Sequence, residues 1–178
     1  MKQKYIVSFF LLFLLGTSTP SLIAQSADAP RIEKKGYDKM LKTLLDHSVD
    51  EVSVQEAAAL KEDAVFLDAR EPAEYKVSHI DGAKFIGYEH FSLANVKDIP
   101  KDKKIIVYCS VGYRSEKISE KLLEAGFKDV SNLYGGIFEW KNQDQEVVDT
   151  KGTTEKVHAY DRMWGFWLKE GEKVYDGG

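Results

Sequence analysis

The chain predicts an α/β fold, with a central, mostly parallel sheet and helices on both faces. Three observations carry that expectation. Short apolar runs such as Ile105-Ile106-Val107-Tyr108 are continuous rather than alternating, as in strands covered on both sides. Segments of helical spacing separate these runs along the chain, the order that builds parallel sheets. Proline and glycine mark the changes, as at Pro72, Pro100 and Gly126.

Residues 1–24 read as a signal peptide. Lys2 and Lys4 precede an apolar core of 11 residues, Ile6 to Gly16, too short to span a bilayer. Cleavage fits after residue 24 or residue 26, so the expected location is periplasmic or secreted, with no membrane contact once the signal is removed. Residues 25–49 read as a linker and a helix. Met40, Leu41, Leu44 and Leu45 have helical spacing over Lys39 to Asp46, with Tyr37 at the head.

A domain is expected over residues 50–142. Val52 and Val54 suggest a short strand, and Ser53-Val54-Gln55-Glu56 reads as a capping box opening a helix to Lys61. Ala64 to Ala69 reads as a strand, and Pro72 suits the first turn of a short helix through Tyr75. Ala83 to Ile86 is a strand and Phe91 to Val96 a helical segment. Lys104 to Tyr108 is the buried strand already noted. Glu116 to Ala125 is a helix with Ser115 as its N-cap and Gly126 as its stop. Val130 to Leu133 is the last strand, followed by a helix from Ile137 to Asn142. Residues 143–178 form an aromatic-rich extension, with Tyr160, Trp164, Trp167, Leu168 and Tyr175. It is expected to fold back over an edge of the domain; a docking surface for a partner is the alternative.

Charge and cysteine usage bound the chemistry. There are 25 basic and 29 acidic residues, a net charge of −4, which argues against nucleic acid or an anionic membrane as the main partner. A single cysteine leaves no intramolecular disulfide and no resolving thiol. His47, His90 and His158 are scattered, with no spacing that suggests a metal site. His79 reads as a packed histidine rather than a base. Glu71 and Glu74, three apart beside Arg70, read as a solvated helix face.

Cys109 is the candidate nucleophile. It closes the strand at its carboxyl end, where ligands bind in parallel sheets. Gly112 can take φ > 0 and turn amides inward, and the following helix presents its positive end. Backbone N–H groups of Ser110, Val111, Gly112, Tyr113, Arg114 and Ser115 are expected to surround the sulfur, with Arg114 as a cation on the rim. A lone strand-end cysteine is otherwise a small inert core residue, but glycine and arginine at these offsets argue against that reading.

Cys109-Ser110-Val111-Gly112-Tyr113-Arg114-Ser115 resembles the Cys-x-x-Gly-x-Arg-Ser loop of rhodanese-type sulfurtransferases. Asp68-Ala69-Arg70 with Glu74-Tyr75 resembles that family's Asp-x-Arg-x-x-x-Glu-Tyr segment. His79-Ile80-Asp81-Gly82-Ala83 resembles its His-Ile-Pro-Gly-Ala, with Asp81 in the proline's place. Leu133-Tyr134-Gly135-Gly136 with Trp140 resembles its closing motif. The resemblance implies a rhodanese-like sandwich in which Asp68 and Arg70 orient loops. It implies an exported enzyme in which Cys109 takes sulfane sulfur from thiosulfate or a persulfide, as a Cys109 persulfide, and passes it to a thiol or cyanide. Arg114 would hold the anionic donor, a protein acceptor is allowed, and no cofactor is needed. A non-enzymatic sulfur carrier or binding module is the alternative. A cysteine phosphatase or arsenate reductase is disfavoured, since four residues rather than five separate Cys109 from Arg114.

Overall fold

The computed structural model describes residue 32 and residues 35–175. The expected signal peptide and its cleavage site lie outside them.

The described chain runs α1 (Lys35–Leu44), β1 (Asp50–Val52), α2 (Val54–Ala59), β2 (Val65–Asp68), α3 (Pro72–Val77) and β3 (Lys84–Phe85). A 3₁₀ turn at Leu93–Val96 leads to β4 (Ile105–Tyr108), α4 (Tyr113–Glu124), β5 (Val130–Leu133) and α5 (Gly136–Asn142). The extension holds β6 (Val147–Asp149), β7 (Gly152–Thr154), β8 (Lys156–His158), a 3₁₀ turn at Trp164–Phe166 and β9 (Glu172–Val174).

Strands β1 to β5 form one parallel sheet in the order β1-β5-β4-β2-β3. Side chains alternate across it, as the pleat requires. Ile106 and Tyr108 of β4, with Phe66 of β2, join a core beneath α1, α2 and α5. Ile105 and Val107, with Leu67, face the opposite way onto Ile118 and Leu122 of α4. Helices therefore cover both faces, and β4, the central strand, is buried throughout. Full burial of each such side chain contributes about 1.5–3 kcal/mol.

Two local expectations are corrected. Ser115 is not an N-cap: α4 begins at Tyr113, and its N-cap is Gly112 at φ 120°. Starting the helix earlier brings its N-terminal end closer to Cys109 and places Ser115 in the first turn, fully buried. Its Oγ lies 3.0 Å from the Gly112 carbonyl and 2.7 Å from Asn132 Oδ1. The second correction is at α1, which starts at Lys35, so Tyr37 lies inside the helix rather than ahead of it.

The extension folds back, and its strands were not foreseen. β6 and β7 form an antiparallel hairpin, and β8 pairs in parallel with β9. Val157, Ala159 and Leu168 enter the α1/α5 core with no exposed surface. Trp167 stacks on Tyr37, rings 5.2 Å apart and 11° from parallel. Asn142, at the end of α5, accepts the Lys169 N–H at 2.6 Å and donates to the Trp167 carbonyl at 3.0 Å.

Candidate active site

Cys109 follows β4 directly and is 1% exposed. The Gly112 N–H donates to Sγ at 3.1 Å. The turn works because the outward side of the loop is satisfied elsewhere. The carbonyls of Cys109 and Ser110 accept the N–H groups of Ile137 and Phe138 at 2.9 and 3.1 Å, at the start of α5. Asn132, from the end of β5, donates to the Gly112 carbonyl at 3.0 Å. With its carbonyls drawn outward, the loop turns an amide toward the sulfur, next to the N-terminal end of the 12-residue α4. Both features stabilise negative charge on Sγ.

Arg114 does not stand free on the rim. Its Nη1 and Nη2 donate to Glu74 Oε2 and Oε1, both at 2.7 Å, and Nη2 also donates to Ser110 Oγ at 3.0 Å. Ser110 Oγ in turn donates to Glu74 Oε1 at 2.7 Å. Burial opposes the Arg114 charge, but the Glu74 hydrogen bonds and the nearby Cys109 sulfur more than offset it, so the guanidinium stays protonated. Burial likewise opposes ionisation of Glu74, yet Arg114 and then Arg70 hold its carboxyl down at about 2. The expectation that Arg114 is a rim cation holding an anionic donor is not met by this geometry, because a buried carboxylate already occupies its fork.

Glu74 is the residue the sequence reading missed. It was placed with Glu71 on a solvated face, but it is 2% exposed and Glu71 is half-buried. Its Oε2 accepts the Glu71 N–H at 3.0 Å, which ties the start of α3 to the cysteine loop. The signal was the spacing Arg70 to Glu74 in the quoted motif; charge alone pointed to solvent.

The remaining site residues fall as follows. Val111 is buried and Tyr113 is 42% exposed. Asp68 and Arg70 form a fully buried ion pair at 2.7 Å, and Arg70 Nη2 also donates to the Ser78 carbonyl at 2.6 Å. The Arg70 guanidinium lies over the Tyr108 ring, 5.7 Å from its centre, and Tyr108 Oη accepts the Ile80 N–H at 3.1 Å. The pair thus braces the strand that delivers Cys109. His79 stacks on Tyr75 at 3.9 Å, and its Nδ1 is 3.1 Å from the Tyr75 carbonyl. Among the described residues no group of His, Cys, Asp and Glu is arranged to hold a metal.

Above the sulfur is a cavity of about 370 Å³. Cys109, Ser110 and Val111 form its floor; Tyr88, Tyr113, Tyr160 and Trp164 form walls; Glu71 and Glu89 line it too. Tyr160 and Trp164 come from the extension. The Tyr160 ring lies 5.3 Å from the Arg114 guanidinium carbon.

A buried thiol thus lies under a backbone amide at the carboxyl edge of a parallel sheet. The rhodanese-like domain family matches residues 53–143, and the chain belongs to that family. A tRNA uridine(34) hydroxylase of Listeria welshimeri is 42% identical over 93 residues, 49% of this chain and 29% of that protein. A tRNA uridine(34) hydroxylase of Sodalis glossinidius is 32% identical over 153 residues, 82% of this chain and 40% of that protein. The chain therefore spans about three- to four-tenths of these curated relatives. The solution structure of a rhodanese-like domain from Anabaena aligns with a TM-score of 0.52 at 24% identity, over 56% of this chain and 78% of that one, and shows the fold.

Those relatives are enzymes by name, which supports enzyme status here. They overturn the expectation of a sulfurtransferase working on thiosulfate or a persulfide, together with its sulfur-carrier alternative. The expectation that nucleic acid is not a partner falls with it. That expectation averaged charge over the whole chain, whereas a pocket that receives a base needs aromatic faces rather than net positive charge. The expected signal peptide and export gain no support from relatives named for tRNA chemistry.

Proposed function

We propose that Cys109 is the nucleophile of an enzyme that modifies uridine in tRNA, with the base entering the pocket over the sulfur. The observation that carries this reading is the pairing of a thiol floor with Tyr88, Tyr113, Tyr160 and Trp164 around it. Aromatic side chains give a base removed from its strand a surface to stack on, and enzymes that act on bases receive them in such pockets. The relatives named above supply uridine as the base.

The step assigned to this chain is nucleophilic addition. Uracil is a conjugated enone, and its ring carbon 6 accepts a thiolate. The C–S bond forms, the pair from the 5,6 double bond moves onto oxygen 4 as an enolate, and ring carbon 5 becomes electron-rich. Reversal expels the thiolate and restores the ring. The Gly112 amide and the α4 terminus stabilise the sulfur before attack and as it leaves.

Hydrogen exchange at carbon 5 of uridine 34 tests this directly: in heavy water the enolate takes a deuteron at carbon 5, and reversal can then lose the original proton, leaving deuterium in the ring. The expected result is deuterium at carbon 5 of uridine 34 in tRNA incubated with the native protein, read by mass spectrometry, and none with Cys109→Ser. No exchange with the native protein, or exchange that persists in Cys109→Ser, overturns the proposal.

A further inference from the structure

The pocket over Cys109 has a charge pattern that is independent of the identity of the base. Among the described residues Arg114 is its one basic lining residue, and Glu74 holds both of its outer nitrogens. Glu71 and Glu89 line the same cavity, and Glu89 is exposed. Approaching molecules therefore meet two carboxylates and a neutralised cation. The walls point the same way. Tyr88 and Trp164 line it as well, and the negative centre of an aromatic ring attracts cations and repels anions. Trp164 comes from residues beyond the family match, so this wall is supplied by the extension.

We infer that this pocket selects uncharged or cationic planar groups for reaction at Cys109 and excludes free anions, with Glu71, Glu89 and Trp164 as the residues that set the selection. The inference rests on the reading of Cys109 as a nucleophile reached through this cavity. On that reading the carboxylates have a use. They keep phosphate away from the sulfur, so that a nucleotide enters base first.

Selection of this kind is readable on the thiol itself, since Cys109 is the only cysteine of the chain. Methanethiosulfonate reagents carry a chosen charge to a thiol. The thiolate attacks the sulfenyl sulfur, a Cys109 mixed disulfide forms, the S–SO₂ bond breaks, and methanesulfinate leaves with the electron pair. Rates with the trimethylammonium-ethyl and the sulfonato-ethyl reagents are each divided by the rate of the same reagent with 2-mercaptoethanol, which removes intrinsic reactivity. The native protein should then favour the cation by on the order of tenfold or more at low salt. Glu71→Gln with Glu89→Gln should bring that ratio close to one, and Trp164→Ala should lower it, with unchanged circular dichroism in each case.

A native ratio of one or below overturns the inference, and so does a ratio that survives the paired glutamine variant. Failure of the uridine reading looks different. It leaves the charge ratio in place and removes only the carbon 5 hydrogen exchange, whereas failure of this inference leaves the exchange and removes the ratio.

Discussion

Glu74 shows how one residue sets the shape of the site. Its side chain is 3% exposed and that of Arg114 is 14% exposed, so each charge depends on the other. Removing one partner of such a pair strands the other, which costs about 3 kcal/mol. Glu74→Gln should destabilise the protein by about that amount at neutral pH, measured by urea unfolding. The pH dependence follows from the carboxyl, held at about 2 against an ordinary 4.5. A lowered folded-state value means the unfolded chain takes up the proton first. The stabilisation is complete above 4.5 and is lost as pH falls through 2. The difference between native protein and Glu74→Gln should shrink over that window; a difference constant down to pH 2 would show that the ion pair does not carry it. This residue was also the least legible in the sequence. Helical spacing places Glu74 beside Glu71 and Arg70, but burial is decided by Arg114, 40 positions away.

At the scale of elements, strand, turn and helix around Cys109 were legible because each is specified locally, by an apolar run, a glycine and an amphipathic segment. The start of α4 was not, since Gly112 caps it through backbone geometry rather than through a side chain. Nor were β8 and β9, three residues each, whose pairing depends on the packing of β8 against α3 rather than on their own pattern. α5 has a role that is visible only in three dimensions, because its first amides hold the carbonyls of Cys109 and Ser110. That contact requires Gly136. It sits at φ 57°, and a Cβ there would fall on the carbonyl oxygens of both loop residues. Gly82 has a comparable φ of 77°, with nothing within 4 Å of an added Cβ. Gly136→Ala should therefore cost well over the roughly 1 kcal/mol of backbone strain expected for Gly82→Ala, and should slow iodoacetamide alkylation of Cys109. Equal stability losses and unchanged alkylation in the two variants would mean that α5 does not position the loop.

On the scale of the molecule, the extension decides whether the pocket has a second wall. It is held at points far apart in the chain. Val148 bridges to His79, Lys141 pairs with Glu155 at 2.9 Å, Trp167 stacks on Tyr37, and Leu168 is buried in the main core. Contacts this dispersed make separate unfolding unfavourable, since releasing the extension exposes the core surface it covers. The three tryptophans allow a test, because Trp140 lies in α5 whereas Trp164 and Trp167 lie in the extension. Trp140→Phe leaves fluorescence reporting on the extension alone. Trp164→Phe with Trp167→Phe leaves it reporting on α5. In each variant the fluorescence midpoint in urea should coincide with the midpoint by far-ultraviolet circular dichroism, the signature of one cooperative unit. An extension signal lost at lower urea than the circular dichroism would make the wall a separately opening element. Access to Cys109 would then be set by that opening rather than by a fixed cavity.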